Sequence, residues 1–149
     1  MWARASLTIA VAILSFSSVD LFGGDSDTVV VTESDLRHHR WVLESINGEP
    51  LFAEEDGMIP ELDFGEQRHV EGNTGCNRFS GRVVLRDDYF FIESMASTRR
   101  LCALSRNELE TMMQTVLSQE SMISLDTENN LTLEVGSIVL QYSLRDWVD

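Results

Sequence analysis

The sequence predicts a single α+β domain, in which a curved, mostly antiparallel β-sheet of seven or eight strands wraps over one amphipathic helix. Three observations predict it. The chain has 149 residues, enough for one modest core with short additions. Short alternating or β-branched apolar runs recur between turn residues along most of its length. One segment, centred near residue 113, instead repeats its apolar residues at helical spacing. Strands joined by tight turns pair antiparallel, and sheet and helix then bury their apolar surfaces against each other. A composition of 43% hydrophobic and 24% charged residues is that of a globular chain.

The N-terminus comes first in order. Met1-Trp-Ala-Arg4 is a short positive lead, and Leu7 to Phe16 is an apolar run. As a helix this run rises about 15 Å, too little for a bilayer core of about 30 Å. A secretory signal over residues 1–17 is expected, with Ser15 and Ser17 as the small residues before the cleavage point. An uncleaved signal acting as a tether is the alternative. Residues 18–39 read as an acidic, solvated linker, and an added edge strand at Val29-Val-Val31 is the other reading. The domain proper is expected over residues 40–144, with a tail at 145–149 that holds Trp147.

Within the domain, Trp41–Ile46 alternates and ends at Asn47-Gly48, a strand and its turn. The acidic cluster Glu54-Glu55-Asp56 lacks the ligand spacing of an EF-hand loop and reads as a solvated surface. Pro60–Phe64 and His69–Glu71 are strands about a Gly65 turn. Arg82–Arg86 and Tyr89–Ile92 make a hairpin across Asp87-Asp88, and Ser94–Arg100 is extended. The helix follows: Ser105 and Glu108 fit a capping box, Leu104 and Leu109 the hydrophobic staple around it. Leu109, Met112, Met113, Val116 and Leu117 form its apolar face. Met122–Leu125, Leu131–Val135 and Ile138–Leu144 close the chain as strands.

Charge limits the partners. The net charge is −14 and every basic residue is Arg. Such a surface repels nucleic acid phosphates and anionic lipid headgroups, so no nucleic acid and no stable membrane insertion are expected. A monomer is expected. No P-loop, Gly-x-Ser-x-Gly elbow, His-Glu-x-x-His or Cys-x-x-Cys motif is present. His38, His39 and His69 are too thin a set for a metal, so neither a metal nor a cofactor is expected.

The densest local signal is Gly72-Asn-Thr-Gly-Cys-Asn-Arg-Phe-Ser-Gly81, a glycine- and asparagine-rich loop holding one of the two cysteines. The second stands in Thr98-Arg-Arg-Leu-Cys102, just before the helix. Two cysteines in an exported chain invite a disulfide, and closing a loop of this length contributes about 3–4 kcal/mol in the chain-entropy model. Paired buried thiols and a reactive thiol stand beside that reading. Arg78, Arg99, Arg100 and Arg106 near the cysteines could lower a thiol pKa, but only His69 is placed to act as a base.

With the Trp41-x-Leu43 strand, this loop and the Thr98–Cys102 segment resemble the META/HslJ domain family from about Arg40 to Leu144. The resemblance places cysteines at both positions. It implies the curved sheet over one helix and a non-enzymatic envelope protein associated with stress tolerance, including resistance to certain antibiotics, and with motility or virulence in some relatives. Many bacterial members carry a lipobox cysteine; here Leu21-Phe-Gly-Gly24 has Gly24 in its place, so a soluble periplasmic or exported protein is expected. The expected role is binding an envelope protein or a small apolar ligand. The candidate surfaces are Asn77, Arg78 and Phe79 with Cys76 and Cys102 beneath, the Arg99-Arg100 segment, and a groove between helix and sheet that Met112-Met113 could line. An inhibitor of an envelope hydrolase, using the tied loop, is the rival; a thiol-dependent enzyme is a third reading.

Overall fold

The computed structural model of the protein describes residues 30–51 and 58–145. The expected signal, most of the linker, Glu54-Glu55-Asp56 and Trp147 lie outside the described residues.

The alternating runs form strands as their patterns require. In order, the elements are α1 (Glu33–Leu36), β1 (Arg40–Ile46), β2 (Glu49–Pro50), β3 (Glu61–Phe64), a short turn of 3-10 helix (Glu66–Arg68) and β4 (His69–Asn73). There follow β5 (Arg78–Arg86), β6 (Tyr89–Ser97), α2 (Leu104–Ser118), β7 (Ser121–Leu125), β8 (Asn130–Val135) and β9 (Ile138–Arg145). All pairings are antiparallel, and the sheet order is β2-β1-β3-β4-β5-β6-β7-β8-β9. Strand β1 also pairs with β9, from Arg40↔Arg145 to Ile46↔Leu140. That pairing closes the curved sheet into a barrel, with β2 as a short extension along one end of β1.

The inward residues are those the period of two selects: Trp41 and Leu43, Leu62 and Phe64, Phe90 and Ile92, Leu131 and Leu133, Leu140 and Tyr142. Helix α2 adds Met113, Val116 and Leu117, all fully buried, so its stripe fills the barrel from one side.

The wall is uneven. Strands β5 and β6 pair along almost their whole length, whereas β6 meets β7 only at Tyr89↔Met122 and Phe90↔Ser121. Helix α2 lies beside β6 where that pairing stops. One surface groove lies along this stretch, between the end of β6 and α2.

Three expectations need correction. Residues 30–39 are not solvated throughout. The Thr32 backbone N–H donates to the Asp35 carboxylate at 2.8 Å, which turns the chain into α1. Leu36 then packs over the barrel end beside Phe64 and Val83, and Val31 is buried with them. Val30 and Val31 belong to no strand. The helix begins earlier than the capping box implies: Ala103 occupies the N-cap, Ser105 is inside the first turn, and Leu104 is 74% exposed rather than stapled. The chain reaches this point from Cys102, whose carbonyl accepts from Asn107 Nδ2 at 3.2 Å, and this tie sets the start. Finally, the glycine loop is shorter than its composition suggests. Gly72 and Asn73 belong to β4 and Arg78–Gly81 to β5, leaving four residues, Thr74 to Asn77, as the turn.

Candidate functional site

Those four residues tie themselves down. Thr74 N–H donates to the Asn77 carbonyl at 2.9 Å, Asn77 N–H donates to Thr74 Oγ1 at 3.2 Å, and Gly75 N–H donates to Asn73 Oδ1 at 3.0 Å. Gly75 takes φ +89°, a conformation open to glycine. Gly72 is required for a different reason: a Cβ there would lie 2.0 Å from the Glu61 carbonyl oxygen on β3.

Cys76 and Cys102 form a disulfide, with Cα atoms 6.0 Å apart and a sequence separation of 26. It joins the β4–β5 turn to the chain entering α2. With both sulfurs bonded to each other, neither cysteine is a thiol, which removes the reading of a reactive nucleophile. His69 stands apart from that chemistry; it is exposed, with Nε2 3.9 Å from Glu71.

Asn77 is the hub of the same region. Its Oδ1 accepts from the Arg100 N–H at 2.7 Å and from Thr98 Oγ1 at 2.9 Å. Its Nδ2 donates to the Glu110 carboxylate at 2.9 Å and the Arg100 carbonyl at 3.3 Å. Gln114 Nε2 donates to that carboxylate at 3.1 Å. One side chain thus joins the β4–β5 turn, the segment after β6, and α2.

The expected binding surface therefore divides. Asn77 is 3% and Phe79 4% exposed. Asn77 is turned inward by its hydrogen bonds and Phe79 faces the core over Gly72, so neither presents a surface. Arg78, Arg99 and Arg100 are exposed: Thr98 N–H donates to the Arg78 carbonyl at 2.9 Å, which sets Thr98 opposite Arg78, while Arg99 and Arg100 line a groove beside α2. The helix stripe divides too. Met113 is core, whereas Met112 faces a cavity.

That cavity is an open cleft of about 360 Å³ between α2 and β1, with Val42, Ile46, Leu51, Pro60, Leu109 and Met112 among its apolar walls. Charged side chains stand at its rim. Glu44 accepts from Ser143 Oγ at 2.6 Å and from Arg145 Nη2 at 2.9 Å. The Ser143 hydrogen bond first, and the Arg145 guanidinium after it, hold the Glu44 carboxyl below its ordinary range against the opposing effect of burial. Glu44 and Arg145 are thus a satisfied ion pair, and Arg106 of α2 is the third charged residue lining the cleft. Sequence reasoning anticipated a groove at the helix but found only Met112; Val42, Ile46 and Leu51 converge there through sheet curvature.

On the opposite side of α2 lies a second, polar groove, with Ser97, Thr98 and Arg99 on one wall and Asn107, Thr111 and Gln114 on the other. Among the described residues, no three His, Cys, Asp or Glu side chains are placed to hold a metal ion. No helix among them is long and apolar enough to cross a membrane.

Similarity to known proteins follows these features. The heat shock protein HslJ of Escherichia coli (strain K12) is 38% identical over 122 residues, which cover 81% of this chain and 84% of that protein. A protein structure solved by NMR matches at a TM-score of 0.69 and 36% identity, covering 80% of this chain and 99% of the other. A second NMR structure, of a protein from Burkholderia xenovorans, shares the fold at a TM-score of 0.61 and 19% identity, over 82% of this chain and 96% of its own. The family model of the META domain matches residues 34–146, and the chain belongs to the META domain family.

Proposed function

We propose that this protein is a non-enzymatic binding module of the cell envelope that takes a small apolar ligand in the cleft between β1 and α2. The cleft itself carries the reading. Its volume of about 360 Å³ falls within the range of about 300–1,000 Å³ usual for small-molecule sites, and its walls are largely apolar. Met112 supplies an adaptable wall, as methionine does at surfaces that accept varied apolar shapes. The Glu44–Arg145 pair at the rim is internally neutralised, and with Arg106 as the one other charged lining residue the apolar walls favour an uncharged ligand.

An oxidising compartment is supported by the disulfide and by the apolar run near the N-terminus. A role in stress tolerance is supported by the name of the HslJ relative. The rival reading, in which the tied loop enters a hydrolase active site, meets a physical obstacle. Thr74, Cys76 and Asn77 are each 3% exposed or less, so the loop has no protruding tip to insert.

Titration with N-phenyl-naphthylamine, a neutral apolar fluorophore, tests the proposal. A saturable rise in fluorescence is expected, competed by octanol, and Met112→Arg should weaken it about tenfold or more, or about 1.4 kcal/mol. The variant's melting curve checks that it is folded. An unchanged affinity in a folded Met112→Arg protein, or no saturable signal in the parent, would sink the reading.

A further inference from the structure

We infer that the polar groove between β6 and α2 binds an extended, acidic polypeptide segment, which adds as a strand to the open edge of β6. The site lies across α2 from the apolar cleft and does not depend on it.

The backbone supplies the first argument. Beyond Phe90, β6 has no strand on the side away from β5, so Phe91 to Ser97 form an edge in an otherwise closed barrel. Thr98 N–H turns toward the Arg78 carbonyl on β5. Strand alternation then turns the N–H and C=O of Ser97 away from β5 and into the groove. No described residue hydrogen-bonds to them. Such an edge accepts main-chain hydrogen bonds from an extended peptide without regard to its sequence. Ser94, at φ +54°, bulges the strand and confines the usable ladder to the stretch from Met95 onward, next to the arginines.

The volume of the groove is about 510 Å³, and Asn107, Glu110, Thr111 and Gln114 of α2 form the far wall, the Glu110 carboxylate being held there by Asn77 Nδ2 and Gln114 Nε2. A second copy of this chain would have to bring its own α2 toward the same space. The polar helix wall can hydrogen-bond one face of an inserted peptide while β6 holds its backbone.

Charge selects the occupant. Arg37, Arg40, Arg68, Arg86 and Arg145 each pair with a glutamate. Among the described residues, Arg78, Arg82, Arg99 and Arg100 pair with no carboxylate, although the chain carries a net charge of −14. Two of the four, Arg99 and Arg100, line this groove at the end of the β6 edge, and Arg78 is exposed on β5, opposite Thr98. Unneutralised guanidinium groups there match carboxylates on a partner, while the acidic remainder of the surface repels them elsewhere.

The test uses the full-length protein and a fluorescent peptide of alternating threonine and valine that ends in two aspartates. Saturable binding is expected, with NMR shifts at Met95–Arg100 and on the Asn107–Gln114 face of α2. N-methylation of alternate peptide amides should weaken it about tenfold or more, because the ladder is lost. The double variant Arg78→Glu, Arg99→Glu should do the same, whereas Arg86→Glu, far along β5, should change it little. Equal binding of the N-methylated peptide would reduce the site to charge attraction and overturn the proposal. So would shifts confined to the apolar cleft, concentration-dependent dimerisation through β6, or no saturation at millimolar peptide.

Discussion

Asn77 links three parts of the molecule through one amide, and its removal reveals the cost of that design. Asn77→Ala would leave the Arg100 N–H and Thr98 Oγ1 without this acceptor and the Glu110 carboxylate with Gln114 as its remaining donor, in a half-buried setting. Unpaired buried groups cost about 1–3 kcal/mol each, and more when charged, so a loss of about 3 kcal/mol is expected from urea denaturation. An effect below about 1 kcal/mol would mean that water replaces the amide. The sequence marked this residue through its company of glycines and a cysteine, and located the turn correctly. It could not show which way the side chain points. The partners of Asn77 lie 21, 23 and 33 positions away, and only the fold brings them together. Arg78, Arg99 and Arg100 were legible as exposed because arginine resists burial. Phe79 was legible as a returning core residue, yet its place in the motif also suggested a surface role, which burial over Gly72 excludes.

At the scale of elements, most strands were readable because turn residues bracket them: Asn47-Gly48, Asp87-Asp88 and Gly136-Ser137 each join a paired hairpin. The helix face was readable by its period. Its start was not, because Ser105–Glu108 satisfies the rule for a capping box while the chain's direction is set by Cys102 and Asn107. This difference is measurable. A serine that caps a helix costs about 1 kcal/mol when replaced by alanine. Ser105 lies within the first turn and makes no cap, so Ser105→Ala should change stability by less than about 0.5 kcal/mol, the range for surface substitutions. A loss near 1 kcal/mol would place the cap back at Ser105. The length of β6 was also underestimated, since Ser94–Ser97 lacks the apolar alternation that identifies strands and is held instead by pairing with β5.

For the whole molecule, closure through β1–β9 was beyond the reach of local pattern, because it joins the first long strand to the last. The consequence is a barrel with one weak line. Around most of the circumference each strand has a ladder of three or more residue pairs on both sides, but β6 and β7 share only two, and α2 lies beside the rest of β6. The disulfide sits where it can hold that helix: it ties the entry to α2 to the β4–β5 turn. Its chain-entropy contribution is about 3–4 kcal/mol, a large share of a net stability of about 5–15 kcal/mol. Opening free energies differ between parts of a fold, and the part with fewest ladders opens first. Reduction of the disulfide should therefore speed amide hydrogen exchange in α2, and in the Phe91–Ser97 stretch of β6, well before it affects β1, β8 and β9. The measurement is exchange followed by mass spectrometry with and without reductant, under conditions where the reduced chain remains folded. A uniform increase across all strands would show one cooperative unit with no weak line. A selective increase beside the seam would show that the disulfide fixes α2 in place and so maintains both grooves, which share this helix as a wall.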